Sequence, residues 1–415
     1  MKVLWFTNTP SLASKHYGHT QAGGGWISSL EEAITNDTNI ELAVAFFTNS
    51  KKGNYIGDKS TYYPIYRKEN ILQKLVNRHF NLLHEYKYLK KYFEIIDDFK
   101  PDIIQIFGTE NGFIRLCGNT TLPACIHIQG VLSDCRHYFF PRGITKWDLF
   151  KYSPLRNILM GTSLLHTYCN IEKRAKRELN LLPTCHYYLG RTSYDKSFVE
   201  NNAAGTVYFH CNEILRKEFY ETKEWTQPQN EKIIVLTVNN GEIYKGIDII
   251  LETADILKKH KINFEWCIAG IDQSNTVLRL FENKLKLAHK KLNINLLGKL
   301  NTNEIINQMM KSNLFIHASR IDNSPNSVCE AMLVGMPVMT FNVGGISSLL
   351  NNDCGILIDR VESSSLAEEI INASSNTNYL SKIGKSARLV AQKRHDLENI
   401  INSISSVYEE IIQNK

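Results

Sequence analysis

A chain of 415 residues with 43% hydrophobic and 22% charged side chains is too long for one ordinary core and too apolar to be disordered, so two globular domains of about 200 residues each are expected. No apolar run approaches the ~20 residues of a membrane-spanning helix. The net charge of +6 comes without the clustered cations and aromatic platforms of a nucleic-acid binder, and it suits phosphate-bearing ligands and an anionic membrane surface equally.

The opening Met1–Phe6 is apolar but short and runs into Thr7-Asn8-Thr9-Pro10, which reads as a buried first strand rather than a signal peptide. Nine scattered cysteines without a C-x-x-C pair fit reduced thiols of a cytoplasmic protein. Short apolar runs then alternate with amphipathic segments, the pattern of parallel sheets built from βαβ units. In the first half the predicted strands are Val3–Thr7, Glu41–Phe47, Ile103–Phe107, Ala124–Gln129, Tyr187–Leu189 and Thr206–Phe209. In the second half they are Ile233–Val238, Phe264–Ala269, Ile294–Leu297, Leu314–His317, Val338–Phe341 and Gly355–Ile358. Helical patterns lie between them, as at Gly246–Lys259, Thr276–Leu292 and Leu366–Ser374.

Arg67–Lys91 also reads as helical, with seven Lys/Arg against two Glu and apolar Ile71, Leu72, Leu75, Val76, Phe80, Leu83 and Tyr86. It either packs on the first sheet or lies on an anionic leaflet. The polar, proline-containing stretch 222–232 precedes a fresh apolar strand and predicts the domain break. The expected domains are therefore an α/β domain over 1–222, a second over 232–395, and a last helix in 396–415 free to pack back on the first domain.

In open α/β sheets, ligands bind at the carboxyl ends of strands, where loops and helix N-termini converge. Gln21–Trp26 follows the first strand with three glycines, Gly23, Gly24 and Gly25; these allow close backbone approach to a phosphate or sugar, or make a flexible connection. Asn239-Asn240-Gly241-Glu242-Ile243-Tyr244-Lys245-Gly246 places Lys245 at a helix N-terminus, where a cation and the helix dipole suit a diphosphate. After the strand Leu314–His317 come Asp322, Asn323, Ser324, Pro325, Asn326, Ser327 and, within the following helix, Glu330. Ser324 suits a cap and Pro325 the first helical turn, so both carboxylates can face one crevice with helix N–H groups between them.

In the first half, Cys125-Ile126-His127-Ile128-Gln129-Gly130 puts His127 and Gln129 on one strand face, and Glu110 ends a neighbouring strand. An ordinary core histidine is the alternative for His127. The chain holds no Asp-x-Asp pair and no His/Cys cluster, so no metal or other cofactor is expected, and the diphosphate would be neutralised by Lys245 and helix dipoles.

As a set, these residues resemble the large family of retaining GT-B glycosyltransferases, family four, which includes many bacterial capsule, O-antigen and exopolysaccharide enzymes. The Glu-x7-Glu element of that family is matched by Asp322 and Glu330, and Ala331-Met332-x-x-Gly335-x-Pro337-Val338 and Val343-Gly344-Gly345-Ile346 follow its pattern. Gly190–Asp195 and His210–Arg216 are similar to a bacterial subgroup. The resemblance implies two Rossmann-like domains facing across a cleft, with Lys245 on the donor diphosphate, Asp322 on the donor sugar and Glu330 on the ribose. Asp322 and Gln129 become the catalytic candidates. Gly24, Gly25, Asn240, Asn323, Ser324, Asn326 and Ser327 join Lys245 and Glu330 on the donor side, and Trp26, Glu110 and His127 stand on the acceptor side.

Three positions depart from the family: Asn240 stands where an Arg is usual, Asp322 where a Glu is usual, and Gln129-Gly130 where His-Gly is frequent. The implied partners are a nucleotide-sugar donor and a glycan or lipid-linked acceptor, with no nucleic acid. Two rivals remain at this stage, a non-hydrolysing sugar-nucleotide epimerase and an inactive sugar-nucleotide-binding subunit.

Overall fold

The protein is described by a computed structural model over residues 1–19, 25–67, 69–80 and 85–414. Two sheets form. The first has eight strands: β1 (Lys2–Thr7), β2 (Glu41–Thr48), β3 (Tyr55–Ile56), β4 (Ser60–Tyr66), β5 (Ile103–Phe107), β6 (Ala124–His127), β7 (Tyr187–Gly190) and β8 (Val207–His210). Their order is β3-β4-β2-β1-β5-β6-β7-β8, and only β3 runs antiparallel to its neighbour. The second sheet is wholly parallel, with β9 (Ile233–Val238), β10 (Phe264–Ala269), β11 (Ile294–Gly298), β12 (Leu314–His317), β13 (Val338–Phe341) and β14 (Ile356–Ile358) in the order β11-β10-β9-β12-β13-β14. Central strands are apolar throughout because helices cover both faces, and Val3 to Phe6 are fully buried.

Strand β4 has no counterpart in the sequence reading. Its Ser-Thr-Tyr-Tyr-Pro-Ile-Tyr carries a proline that argues against a strand interior. Pro64 lies opposite Phe46, and Arg67 N donates to Thr48 O at 3.0 Å. Alternation along the strand therefore turns Pro64 away from β2, towards the side where β3 has already ended at its Tyr55–Tyr62 pairing. No ladder hydrogen bond is lost there.

Two compact units result: residues 1–133, 169–216 and 395–415, and residues 134–168 with 217–394. This corrects the continuous 1–222 domain in two places. Residues 134–168 belong to the second unit, where Asp148 Oδ1 meets Lys284 Nζ at 2.9 Å. The break falls after Arg216 rather than at 222–232, because Trp225 is buried and holds the intended linker down: its N donates to Val334 O at 2.8 Å and its Nε1 to Ser312 O at 3.0 Å.

The helix Leu397–Gln413 completes the first unit. Asp396 caps it by accepting from Asn399 N at 2.9 Å. Its Ile400, Ile404, Val407, Tyr408 and Ile411 join Val3, Trp5, Leu30 and Ile34 in one apolar cluster. Inside that cluster Trp5 Nε1 donates to the Tyr408 hydroxyl at 3.0 Å, and the hydroxyl in turn donates to Gln105 Oε1.

The helix expected over Arg67–Lys91 is broken. A helix over Ile71–His79, closed by an Asn70/Gln73 capping box, is followed by a 3-10 turn at Glu85–Tyr88 and a helix at Leu89–Phe99. No residue of Ile71–His79 is buried, so it does not pack on the first sheet. Lys68 and Leu83 lie outside the described residues.

Candidate nucleotide-sugar site

The strongest constellation lies within the second unit, at the carboxyl ends of β9, β12 and β13. Three loops meet there, and the backbone sews them together. Arg320 N donates to Tyr244 O at 2.9 Å, and Gly345 N donates to Asp322 O at 2.9 Å. Gly246, at φ +74°, passes so close to Ala318 that a Cβ would overlap its carbonyl. Gly344, at φ +54°, passes Asp322 in the same way. Only glycine allows both the left-handed backbone and the approach. The Asn239 side chain braces the first loop, accepting from Gly241 N at 2.8 Å and donating to Lys245 O at 2.9 Å. Arg320 clamps the second with a bidentate pair to Asp248, at 2.8 and 2.5 Å.

This frame aims Lys245 Nζ at Asp322 Oδ2, 2.5 Å away, with the two side chains 19% and 16% exposed. His317, at the end of β12, brings Nε2 within 2.9 Å of the same oxygen. Burial alone would push the Asp322 carboxyl up. The Lys245 ammonium and the His317 ring outweigh it and hold the carboxyl well below the usual carboxylate range.

Asn326–Val334 forms the helix that follows. Its start corrects one expectation: Pro325 takes the N-cap itself, with ψ 112°, and the helix begins at Asn326. A proline offers no capping oxygen, so the cap side chain leaves the first-turn N–H groups to other acceptors, the arrangement that favours an anion. Glu330 stands one turn further on and is buried, as are Asn323 and Ser324. Asn326 and Ser327 are half-buried at the helix start. Asn240 is exposed, and its side chain accepts from Glu242 N at 3.3 Å within its own loop.

The first unit holds a second polar group at the ends of β1, β5 and β6. Gly108, at φ +76°, lies so close to the Glu110 carboxylate that a Cβ would overlap it, and that Cβ would meet Gln129 Cγ at 3.0 Å, so the two residues share one spot. Asn8 Nδ2 reaches Glu110 Oε2 at 3.4 Å, and Asn111 donates to Asn8. Burial pushes the Glu110 carboxyl up. Asn8 and Asn111 were passed over in the sequence because lone loop asparagines carry no pattern.

Two acceptor-side candidates prove to be core residues. His127 is fully buried between Trp26 and Phe107, with ring centroids 5.2 and 5.7 Å away, and Gln105 Nε2 lies 3.2 Å from its Nδ1. Burial, followed by the nearby Arg191 charge, pushes its pKa down to about 3, so the ring is neutral at physiological pH. Trp26 is 4% exposed. Both were read from strand and loop position, which does not register how deeply aromatic neighbours enclose a side chain. Gly25 opens the helix Gly25–Asp37, with Arg216 Cδ 3.0 Å from where a Cβ would stand. Gly23 and Gly24 lie outside the described residues.

Residues 219–390 match the family model of glycosyl transferases group 1. That stretch is similar to a group 1 glycosyltransferase domain. Over 168 residues, 40% of its length, the chain is 25% identical to an uncharacterized glycosyltransferase of Methanocaldococcus jannaschii, and it spans only 45% of that relative. Among solved structures, sucrose-phosphate synthase from Thermosynechococcus elongatus superposes with a TM-score of 0.73 at 13% identity, covering 100% of both chains. Anabaena HepE in complex with UDP-glucose gives 0.65 at 14% identity over 99% of this chain and 100% of that one. A glycosyltransferase from Rickettsia africae gives 0.62 at 16% identity, covering 100% and 99%. The fold is GT-B.

Within the group 1 domain, Asp322, Lys245 and Glu330 were legible as a motif. His317, Asn239 and the Arg320–Asp248 clamp were not: the first two act through the fold of their own loops, and the clamp joins residues far apart in sequence. One consequence is testable. Gly246→Ala should lower the melting temperature of the group 1 domain by several degrees, because a left-handed alanine costs about 1–2 kcal/mol before any overlap with Ala318 is counted. It should also abolish donor-induced stabilisation. Unchanged melting with and without nucleotide sugar would show that the loop junction is not what forms the site.

Proposed function

We propose that the chain is a retaining glycosyltransferase that moves a sugar from a nucleotide-sugar donor to a glycan or lipid-linked oligosaccharide in cell-surface polysaccharide synthesis, working in the cytoplasm at the inner face of the plasma membrane. The observation that carries this is the Lys245–Asp322 pair beside the first turn of Asn326–Val334, with Glu330 within that helix. Lys245 and the first-turn N–H groups are suited to a diphosphate, Glu330 to ribose hydroxyls, and Asp322 to the donor sugar. HepE, a structural neighbour, has been captured with UDP-glucose, which makes uridine nucleotides the first donors to try.

In this reading the leaving diphosphate takes the acceptor proton as the acceptor hydroxyl attacks from the same face. The protein contributes positioning and leaving-group stabilisation. With Asn240 in place of an arginine, Lys245 carries more of the leaving-group charge.

The test is nucleoside diphosphate release from a panel of nucleotide sugars, with and without acceptor, in excess chelator. Release is expected to be stoichiometric with transfer, to need acceptor and to survive chelation, and the product should keep the donor's anomeric configuration by NMR. Interconversion of free nucleotide sugars without acceptor would instead mean an epimerase. Binding without release would mean the inactive subunit that Asn240 makes conceivable. Activity lost to chelator and restored by manganese or magnesium would overturn metal independence.

A further inference from the structure

Residues 134–168 of the second unit present a surface that the proposed chemistry does not use. Two short helices lie there, Lys146–Lys151 and Leu155–Leu159. Their inward side is held firmly: Leu149 is fully buried, Ser153 Oγ donates to Leu149 O at 2.6 Å, and Asp148 pairs with Lys284 at 2.9 Å. The outward side is the apolar one. Trp147 is 67% exposed, Leu155 70%, Leu159 65% and Phe150 41%, and the Trp147 and Phe150 rings stack at 5.6 Å. A solvated helix turns its polar face to water, and contiguous exposed apolar surface of this kind marks an interaction site.

Charge names the partner. Arg142, Lys146, Lys151 and Arg156 are all exposed in the same stretch. From Arg136 to Met160 the only acidic residue is Asp148, and it is turned inward onto Lys284. We propose that this surface lies on an anionic bilayer leaflet, with Trp147, Phe150, Leu155 and Leu159 entering the headgroup boundary and the four cations meeting lipid phosphates. Helices of six and five residues are far too short to span a bilayer, so the contact is peripheral. The exposed face of Ile71–His79 is a weaker candidate, since two of the cations that follow it are engaged, Lys87 with Glu69 at 3.6 Å and Lys91 with Glu94 at 3.2 Å.

This deepens the reading of a lipid-borne acceptor and rests on it for its purpose, but lipid binding is measured without any transfer reaction. The chain supplies its own probe. Of the five tryptophans, Trp5, Trp26, Trp225 and Trp266 are at most 4% exposed, leaving Trp147 at the surface.

The full chain is mixed with vesicles of phosphatidylcholine, with or without phosphatidylglycerol, carrying brominated acyl chains. Binding is expected to be at least about tenfold stronger to the anionic vesicles and to weaken with salt. Brominated lipid should quench tryptophan fluorescence in the wild type and not in Trp147→Phe. The triple variant Lys146→Gln, Lys151→Gln, Arg156→Gln should bind at least about tenfold more weakly with an unchanged melting temperature.

No preference for anionic vesicles at low salt, or equal quenching in Trp147→Phe, overturns the proposal. So does vesicle-free self-association that shields Trp147, which would make a second copy the occupant. Binding lost only in Lys74→Gln, Arg78→Gln, Lys87→Gln, Lys90→Gln would assign the contact to the other face. Transfer to a soluble acceptor in vesicle-free buffer keeps the transferase reading intact in each of these cases.

Discussion

Lys245→Ala and Glu330→Gln are each expected to cut transfer at least tenfold while leaving the fold intact. A charge-assisted hydrogen bond to a ligand is worth about 1.5–3 kcal/mol, or roughly ten- to over a hundredfold in affinity or rate. The two variants should differ in kind. Glu330→Gln keeps its shape and an acceptor oxygen, so its loss should appear mainly in donor affinity. Lys245→Ala removes the one cation that faces Asp322 from the β9 loop, and its loss should appear in turnover as well, since charge on the leaving diphosphate grows in the transition state.

Lys245→Ala also carries a pH signature. Lys245 holds the Asp322 carboxyl below its unfolded value, so the pair stabilises the domain above the ordinary carboxylate range, and that contribution is lost as pH falls through the folded-state pKa. The variant should therefore melt lower than the wild type at neutral pH, with the gap closing in strong acid. Calorimetric donor binding, diphosphate release and melting curves across pH check the set. Near-normal affinity and turnover in both variants would remove these residues from the donor site.

Tyr408→Ala should destabilise the first unit by about 3–5 kcal/mol, the range for truncating a large buried aromatic side chain. The residue is fully buried and takes its polar partners from two strands, Trp5 on β1 and Gln105 on β5. Truncation leaves a cavity and strips partners from two buried groups at once. Tyr408→Phe, which removes only the hydroxyl, should cost about 1–3 kcal/mol. In scanning calorimetry the transition of the first unit should fall by something on the order of 10 °C for the alanine variant, with the second unit little changed. A drop confined to the second unit, or none, would mean that the C-terminal helix does not hold the first core together.

Much of the architecture could be read from residue order because parallel strands covered on both faces appear as unbroken apolar runs; eleven of the fourteen strands among the described residues were found within a residue of their bounds, while β6 was drawn two residues too long and β3 and β4 were missed. β4 escaped because Pro64 and three tyrosines hide a strand in which the proline is harmless, since β3 does not reach that far. The loops of the candidate site were legible because glycines, a proline and spaced carboxylates act locally. What stayed hidden depends on distant partners. Asp148 looks like an ordinary helix-start acid until Lys284 is found beside it, and that pair carries 134–168 into the second unit. Trp26 reads as ligand-facing, and His127 as either ligand-facing or a core histidine, until Phe107 and Arg191 are seen around them. The exposed face at Trp147 had no sequence signature, since its helices are too short to show a period.

The docking of Leu397–Gln413 onto β1 and β5 has a consequence during synthesis. The strands of the first unit leave the ribosome well before its closing helix, and a wall of its core arrives only with Ile400 to Ile411. At ~5–20 residues per second, the strands from β1 to β8 must wait about ten seconds or more with Val3, Trp5, Leu30 and Ile34 uncovered on that side, while residues 217–394 of the second unit are made. A nascent chain in that state exposes apolar surface to chaperones and to its neighbours on the polysome. A stop codon between Arg394 and Ile400 would release a chain whose second unit is complete while the first lacks Ile400 to Ile411 from its core.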